Sequence, residues 1–156
     1  MNESAFPHVA APAEDKPAQE SGLTSAEAQE EKERFYAMLL ADALRSIDAM
    51  GGSASMISAK FGVGTSEFKQ NLNVLEQRIG DLETQGIQIF NQSHYLDEFI
   101  HGSPGDYETK FAIFFKGLLE SGKIKTLYVL PGSASARGVI AEVNIAHEVG
   151  VPVVQL

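Results

Sequence analysis

From residue 53 onward, short apolar stretches alternate with longer amphipathic segments, and this alternation constrains the fold more than any other feature of the chain. The apolar stretches are too short to form free-standing helices and are bounded by glycine or proline. They lie at residues 53–59, 87–90, 126–130 and 151–156. The segments between them include residues at the spacing of amphipathic helices. Strands that alternate with helices predict an α/β fold, with a parallel sheet covered by helices on both faces.

For about four strands the economical order is 2-1-3-4, a small doubly wound sheet of the Rossmann or flavodoxin kind. In this order the chain reverses direction between strands 1 and 3. Ligands bind at the carboxyl ends of the strands that flank such a reversal. The loops brought together there are 60–64 and 131–135. We therefore expect Lys60, Phe61 and Gly62 to contribute to a ligand site.

The first third of the chain is predicted to lie outside this sheet. Residues 1–22 are rich in Ala, Pro, Glu and Ser, which predicts a disordered acidic tail. Thr24 and Glu27 have the spacing of a capping box, so an extra N-terminal helix is expected from there to about Met50. This helix, within residues 23–52, is expected either to pack on the domain of residues 53–156 or to act as an arm for homo-oligomerisation.

Composition narrows the choice of partners. The net charge is −9, and residues 1–50 hold 10 acidic and 4 basic residues. No basic stripe is present, so the sequence predicts no binding of duplex nucleic acid. The absence of cysteine excludes disulfides and thiolate catalysis and fits a reducing compartment. No apolar stretch has the length of a membrane span and no signal pattern is recognisable, so we expect a cytoplasmic protein without a membrane partner.

The stretch 126–151 combines a strand, a tight turn and a helix. Gly132 lies in the turn, and Ser133 and Ser135 are two possible N-caps of the helix, as turn or cap residues. Free N–H groups and the helix dipole favour an anion at such a terminus. Arg137, in the first helical turn, is well placed to bind a phosphate or a carboxylate.

One acidic residue in this helix has the pattern of a functional group. Glu142 lies among apolar or small residues, four positions after Gly138. Helical side chains lean towards the N-terminus, so the missing side chain at Gly138 is expected to leave space in front of the Glu142 carboxylate. We therefore expect Glu142 to face the same cleft as the serine-bearing turn.

The polar segment 91–106 is predicted to form a lid or a binding loop after the second strand. It contains His94 and His101 close to Asp97 and Glu98, which are residue types found in metal sites. No supporting ligands accompany them, so the sequence predicts neither a metal nor another cofactor.

The C-terminal block resembles the signature of the nucleoside 2-deoxyribosyltransferase-like family, in a short branch of that family. The matching positions are Pro131, Gly132, Arg137, Gly138, Glu142, Ala146, Gly150 and Pro152. The segment MISAKFGVG, followed by a helix and IQIFN, resembles the family's first strand, loop, helix and second strand. The resemblance covers about residues 53–156 and leaves residues 1–50 outside.

The resemblance implies chemistry at the N-glycosidic bond of a nucleoside or nucleotide, as a hydrolase or a deoxyribosyltransferase. In active family members a glutamate at the position of Glu142 attacks the anomeric carbon, and a second base or water resolves the glycosyl-enzyme. A carboxylate is suited to that role because it stabilises an oxocarbenium-like centre. Ser133, Ser135 and Arg137 would then hold a 5′-phosphate or a sugar hydroxyl.

The chain also departs from the family pattern. Lys125 stands where members commonly have an aspartate just before the third strand, and Phe111, Phe114 and Phe115 occupy a helix where members have an acid. Lys60 replaces a usual glycine or proline in the first loop and favours an anionic ligand. These departures leave a second interpretation open, a module that binds a nucleotide or an ADP-ribose-like ligand without turnover.

Overall fold

A computed structural model of the chain describes residues 22–101 and 107–156. Within them, parallel strands form one sheet in the order β2-β1-β3-β4, which confirms the predicted class and topology. The strands are β1 (Ala54–Ser58), β2 (Ile89–Phe90), β3 (Ile124–Val129) and β4 (Val153–Gln155). Residues 1–21, predicted as a disordered tail, lie outside the described residues.

Helices pack on both faces of the sheet. They are α1 (Ser25–Ala49), α2 (Phe68–Thr84), α3 (Leu96–His101), α4 and α5 (Arg137–Val149). Helix α4 comprises Tyr107–Lys110, a π-helical turn at Phe111–Phe115, and Lys116–Glu120. Among the described residues, none of these helices is both long and apolar enough to cross a membrane.

The two faces of the sheet belong to two separate cores, because successive side chains of a strand point to opposite faces. Met56 of β1 and Phe90 of β2 pack in the first core, with α1, α4 and α5. Ile57 and Ile89 pack in the second core, with α2. This arrangement leaves the carboxyl ends of β1 and β3 between the helices of opposite faces.

Helix α1 begins at the predicted capping box. The Glu27 N–H donates to Thr24 Oγ1 at 3.1 Å, and the Thr24 N–H donates to Glu27 Oε1 at 2.9 Å. Further along, α1 packs on α4, and it buries Tyr36, Ala43 and Ile47 in the first core. Its role in homo-oligomerisation stays a prediction.

The prediction of a lid or binding loop over residues 91–106 is wrong for the first part of this segment. That part forms a short 3₁₀ helix (Gln92–Tyr95) followed directly by α3. Asn91 starts this turn, since its Oδ1 accepts a hydrogen bond from the Ser93 N–H at 3.0 Å. Tyr95 and Leu96 are buried, so the segment is part of the core. Residues 102–106 lie outside the described residues.

Glu67 occupies the N-cap position of α2, and its side chain forms no capping hydrogen bond. Thr65, two residues earlier, closes the preceding loop. Its Oγ1 accepts from the Glu67 N–H at 3.2 Å and donates to the Gly62 carbonyl at 2.6 Å. Gly62 has a φ of +67°, and a Cβ there would lie 2.9 Å from Thr65 Oγ1, so this turn requires glycine.

Candidate functional site

The two loops that the topology predicts to meet are in direct contact. The Lys60 N–H, just after β1, donates a hydrogen bond to Ser133 Oγ, just after β3, at 3.1 Å. Ser133 is buried, so this bond lies beneath the surface of the carboxyl edge of the sheet. The contact joins the loops on either side of the chain reversal, where the sequence places a ligand site.

The predicted capping roles of Ser133 and Ser135 are wrong. Ala136 is the N-cap of α5, and its side chain forms no capping hydrogen bond. Ser133 is turned to the Lys60 N–H, whereas Ser135 is exposed. Arg137 is exposed at the first position of α5, and its binding of an anion stays a prediction.

The other predicted residues of the first loop are spread over different surroundings. Lys60 Nζ lies 3.7 Å from Glu67 Oε1, and both side chains are largely exposed, so the pair contributes little to stability. Phe61 packs against the second core. Gly62 shapes the turn, and Gly132, with a φ of +81°, does the same in the loop after β3. Direct contact of these residues with a ligand stays a prediction.

Glu142 lies on the buried side of α5. Val139, Glu142 and Ala146 follow each other at intervals of three and four residues, so they form one stripe that faces the sheet. The Glu142 side chain is only 5% exposed, and its Oε1 has no hydrogen-bond partner among the described residues. A buried acidic oxygen without a partner is costly, which makes this residue a candidate functional group.

Burial raises the pKa of Glu142 from 4.5 to about 7. Two neighbours oppose this shift, the Ser58 hydroxyl at the end of β1 and the Lys110 ammonium on α4. The Ser58 hydroxyl is itself fully buried, and among the described atoms it completes no hydrogen bond of standard length and angle. Near neutral pH, Glu142 therefore exists in both its protonated and its ionised form.

Sequence reasoning missed three polar residues near this edge. Ser58 is hidden inside an apolar strand, and Gln92 lies in the segment expected to be a loop. The Gln92 Nε2 donates to the Ile57 carbonyl at 2.6 Å, while its buried Oε1 has no partner among the described residues. Lys110 follows Thr109, a buried residue at the start of α4. Their position in the chain was the signal that could have identified two of them. Ser58 is the last residue of β1, and Gln92 lies two residues after β2, both at the carboxyl edge of the sheet.

This arrangement allows two kinds of chemistry. The ionised Glu142 carboxylate is a nucleophile, and the protonated carboxyl is a proton donor. Both forms are accessible around a pKa of about 7. The hydroxyl of Ser58 and the amide oxygen of Gln92 are suited to bind the hydroxyl or amino groups of a polar ligand.

Metal ligands are not grouped in the described part of the chain, where no cluster of three or more His, Cys, Asp or Glu residues occurs. His94 is exposed, and the side chain of His101 lies outside what the structure describes.

Comparison of the chain with protein-family models, with curated proteins and with solved structures found no match. The relationship that the structure establishes is therefore one of architecture, a small α/β fold with a four-stranded parallel sheet of order 2-1-3-4.

Proposed function

We propose that this protein cleaves the N-glycosidic bond of a nucleoside or nucleotide, as a hydrolase or a deoxyribosyltransferase, with Glu142 as the nucleophile. The observation that carries this proposal is the buried Glu142 carboxyl, which has an oxygen without a partner among the described residues at the carboxyl edge of the sheet. The resemblance of the C-terminal block to nucleoside 2-deoxyribosyltransferase-like proteins supports the same residue.

In the proposed reaction a Glu142 oxygen bonds to the anomeric carbon while the bond from that carbon to the base nitrogen breaks. The electron pair leaves with the base, which takes up a proton from solvent. Water, or a second base in the transferase reaction, then displaces the carboxylate and releases its own proton. A buried carboxylate is favoured for this step because low solvation strengthens its attraction to the developing positive charge.

The substrate is held, in this proposal, by the two joined loops. The bond from the Lys60 N–H to Ser133 Oγ keeps the loops together, and Arg137 lies at the exposed start of α5. The positive end of that helix and the guanidinium favour a 5′-phosphate, so a nucleoside 5′-monophosphate is the preferred substrate.

Base release is the direct test. The full chain is incubated with a panel of ribo- and deoxynucleosides and their 5′-monophosphates, and free base is quantified by chromatography. We expect release by the wild type and at least about a hundredfold slower release by Glu142→Gln, because the amide is not a nucleophile. Glu148→Gln, an exposed position on the same helix, is the matched control and should retain activity. Intact substrates across the whole panel would overturn the proposal.

A second candidate, a nucleotide- or ADP-ribose-binding module, is favoured by the raised pKa of Glu142. With a pKa of about 7, much of the residue is protonated near neutrality and is then a poor nucleophile. Binding is tested by thermal unfolding with the same ligands. This function predicts stabilisation that persists in Glu142→Gln and disappears in Arg137→Ala, with Arg34→Ala on α1 as the control. Base release by the wild type would exclude it.

A further inference from the structure

The two faces of the sheet are covered to different extents. Within residues 22–101 and 107–156, α2 is the one helix that packs in the second core, and its residues lie against those of β1 and β2. On the opposite face, α5 packs against β1, β3 and β4. Parallel sheets are normally covered on both faces, because their strands present apolar side chains on each side. The β3–β4 half of the face that carries the second core is therefore a surface that a partner is expected to cover.

Burial on this face falls from the middle of the sheet towards its edge. Ile57, Tyr128 and Val154 stand side by side across β1, β3 and β4. Ile57, next to α2, is 1% exposed, Tyr128 is half-buried, and Val154 on the edge strand is 42% exposed. Leu156 follows Val154 by two residues, so it lies on the same face, and it is also only half-buried. Tyr128, Val154 and Leu156 thus form a continuous apolar surface, the β3–β4 strip.

A groove of about 530 Å³ lies between this strip and α2. Tyr128 and Leu156 line it from the strip, and Arg78 and Asp81 line it from the helix. Because Arg78 and Asp81 are three residues apart, they lie on the same side of α2. In the part of the chain that the structure describes, neither of them forms an ion pair. The groove therefore combines an apolar side with one positive and one negative charge.

The charges of the groove favour a second copy of this chain as the partner. The chain has a net charge of −9, so two copies repel each other over most of their surfaces, whereas the groove is locally neutral. In a twofold dimer every contact occurs twice, so Arg78 of each copy can meet Asp81 of the other. A strongly basic or strongly acidic partner would instead bring one of these two residues against its own sign.

We propose that this protein forms a twofold dimer in which the β3–β4 strip and α2 of each copy cover the same surface of the other. Arg78 pairs with the partner's Asp81 at two symmetric positions, and Tyr128 lies in the apolar part of the contact. Aromatic residues and arginine are the types enriched in protein interfaces. The surface is small, so we expect a dissociation constant in the micromolar range.

Sedimentation velocity of the full chain at about 1 to about 500 µM tests the dimer, since this range spans weak association. We expect the wild type to change from monomer to dimer. Val154→Asp places a charge on the strip and should raise the dissociation constant about tenfold or more. Ile140→Asp changes an apolar residue of α5 that is 47% exposed, and it should associate like the wild type. A wild type that stays monomeric throughout, or unaltered association of Val154→Asp, would overturn the proposal.

A charge exchange tests the same surface with variants that leave the strip intact. Arg78→Glu and Asp81→Arg should each associate more weakly than the wild type, because like charges then meet at both symmetric positions. When the two variants are mixed in equal amounts, they should form a heterodimer in which both positions again join opposite charges. A mixture that associates no more tightly than either variant alone contradicts the twofold pairing.

The predicted oligomerisation through α1 is distinguished by Met38→Asp, which changes a residue of that helix that is 65% exposed. If Met38→Asp dissociates the dimer and Val154→Asp does not, the interface lies on α1 and the proposal is rejected. Because α5 packs on the opposite face of the sheet, Glu142→Gln should dimerise like the wild type. The dimer and the proposed reaction therefore succeed or fail separately.

Discussion

Burial of Glu142 gives the free energy of unfolding a pH dependence opposite to that of an ion-paired carboxylate. Its pKa is about 7 in the folded protein and 4.5 as the ordinary value, so between these two the native state binds more protons than the unfolded state. With respect to this residue, the free energy of unfolding is therefore highest below about pH 4.5 and declines as the pH rises to about 7. A shift of this size corresponds to about 3 kcal/mol, taking about 1.4 kcal/mol for each unit of pKa.

Glu142→Gln removes this dependence, because the amide is neutral at every pH. We compare the free energies of unfolding of the variant and the wild type by urea unfolding. As the pH rises from about 4 to about 8, we expect the difference to shift in favour of the variant by about 3 kcal/mol. The exposed Glu148→Gln should show no such trend. Parallel stability curves for the wild type and Glu142→Gln would mean that Glu142 is not buried as described.

At the scale of elements, the hydrogen bond from the Lys60 N–H to Ser133 Oγ links the loops after β1 and β3. Ser133→Ala removes the acceptor of the Lys60 N–H, and we expect a loss of about 1 kcal/mol in the free energy of unfolding together with weaker ligand binding. Ser135→Ala changes a similar serine that is exposed, two positions further on, and should leave stability unchanged. Urea unfolding and thermal shift with ligand measure both effects, and equal behaviour of the two variants would contradict the structural role of Ser133.

Helix α1 contributes to the same core as the sheet. Ile47 is 0% exposed, so Ile47→Ala should cost about 2–5 kcal/mol through lost burial and the cavity it leaves. Met38 on the same helix is 65% exposed, and Met38→Ala should change stability by less than about 0.5 kcal/mol. Denaturant unfolding of the two variants gives the comparison. A small effect at Ile47 would indicate that α1 is only loosely attached.

For the molecule as a whole, α1 packs over a face of the sheet together with α4. A chain that begins at Ser53 would expose the apolar surfaces that Tyr36, Ala43 and Ile47 cover, so we expect it to lose cooperative unfolding. A chain that begins at Leu23 keeps α1 and should unfold cooperatively. Urea unfolding distinguishes the two, and measuring their mass in solution also tests the predicted homo-oligomerisation. A cooperative transition in the shorter chain would make α1 a separate arm.

The strand order and the meeting of the two loops were predictable because they depend on chain direction and right-handed connections. The capping roles of Ser133 and Ser135 were not, because a hydroxyl near a helix start has several competing partners. Ser133 has the Lys60 N–H, which is distant in sequence. Residues 92–101 were mistaken for a loop because their polar residues obscured the buried Tyr95 and Leu96.

By itself the amino-acid sequence determined the α/β class, the order of the parallel strands, the capping box of α1 and the placement of Glu142 on the last helix, since periodicity and local chemistry encode these features. Only the tertiary structure decided that the Glu142 carboxyl is buried, that Ser58 faces it and that Lys110 acts on its charge. Burial and electrostatics depend on which distant elements come together, and no local pattern in the chain records that.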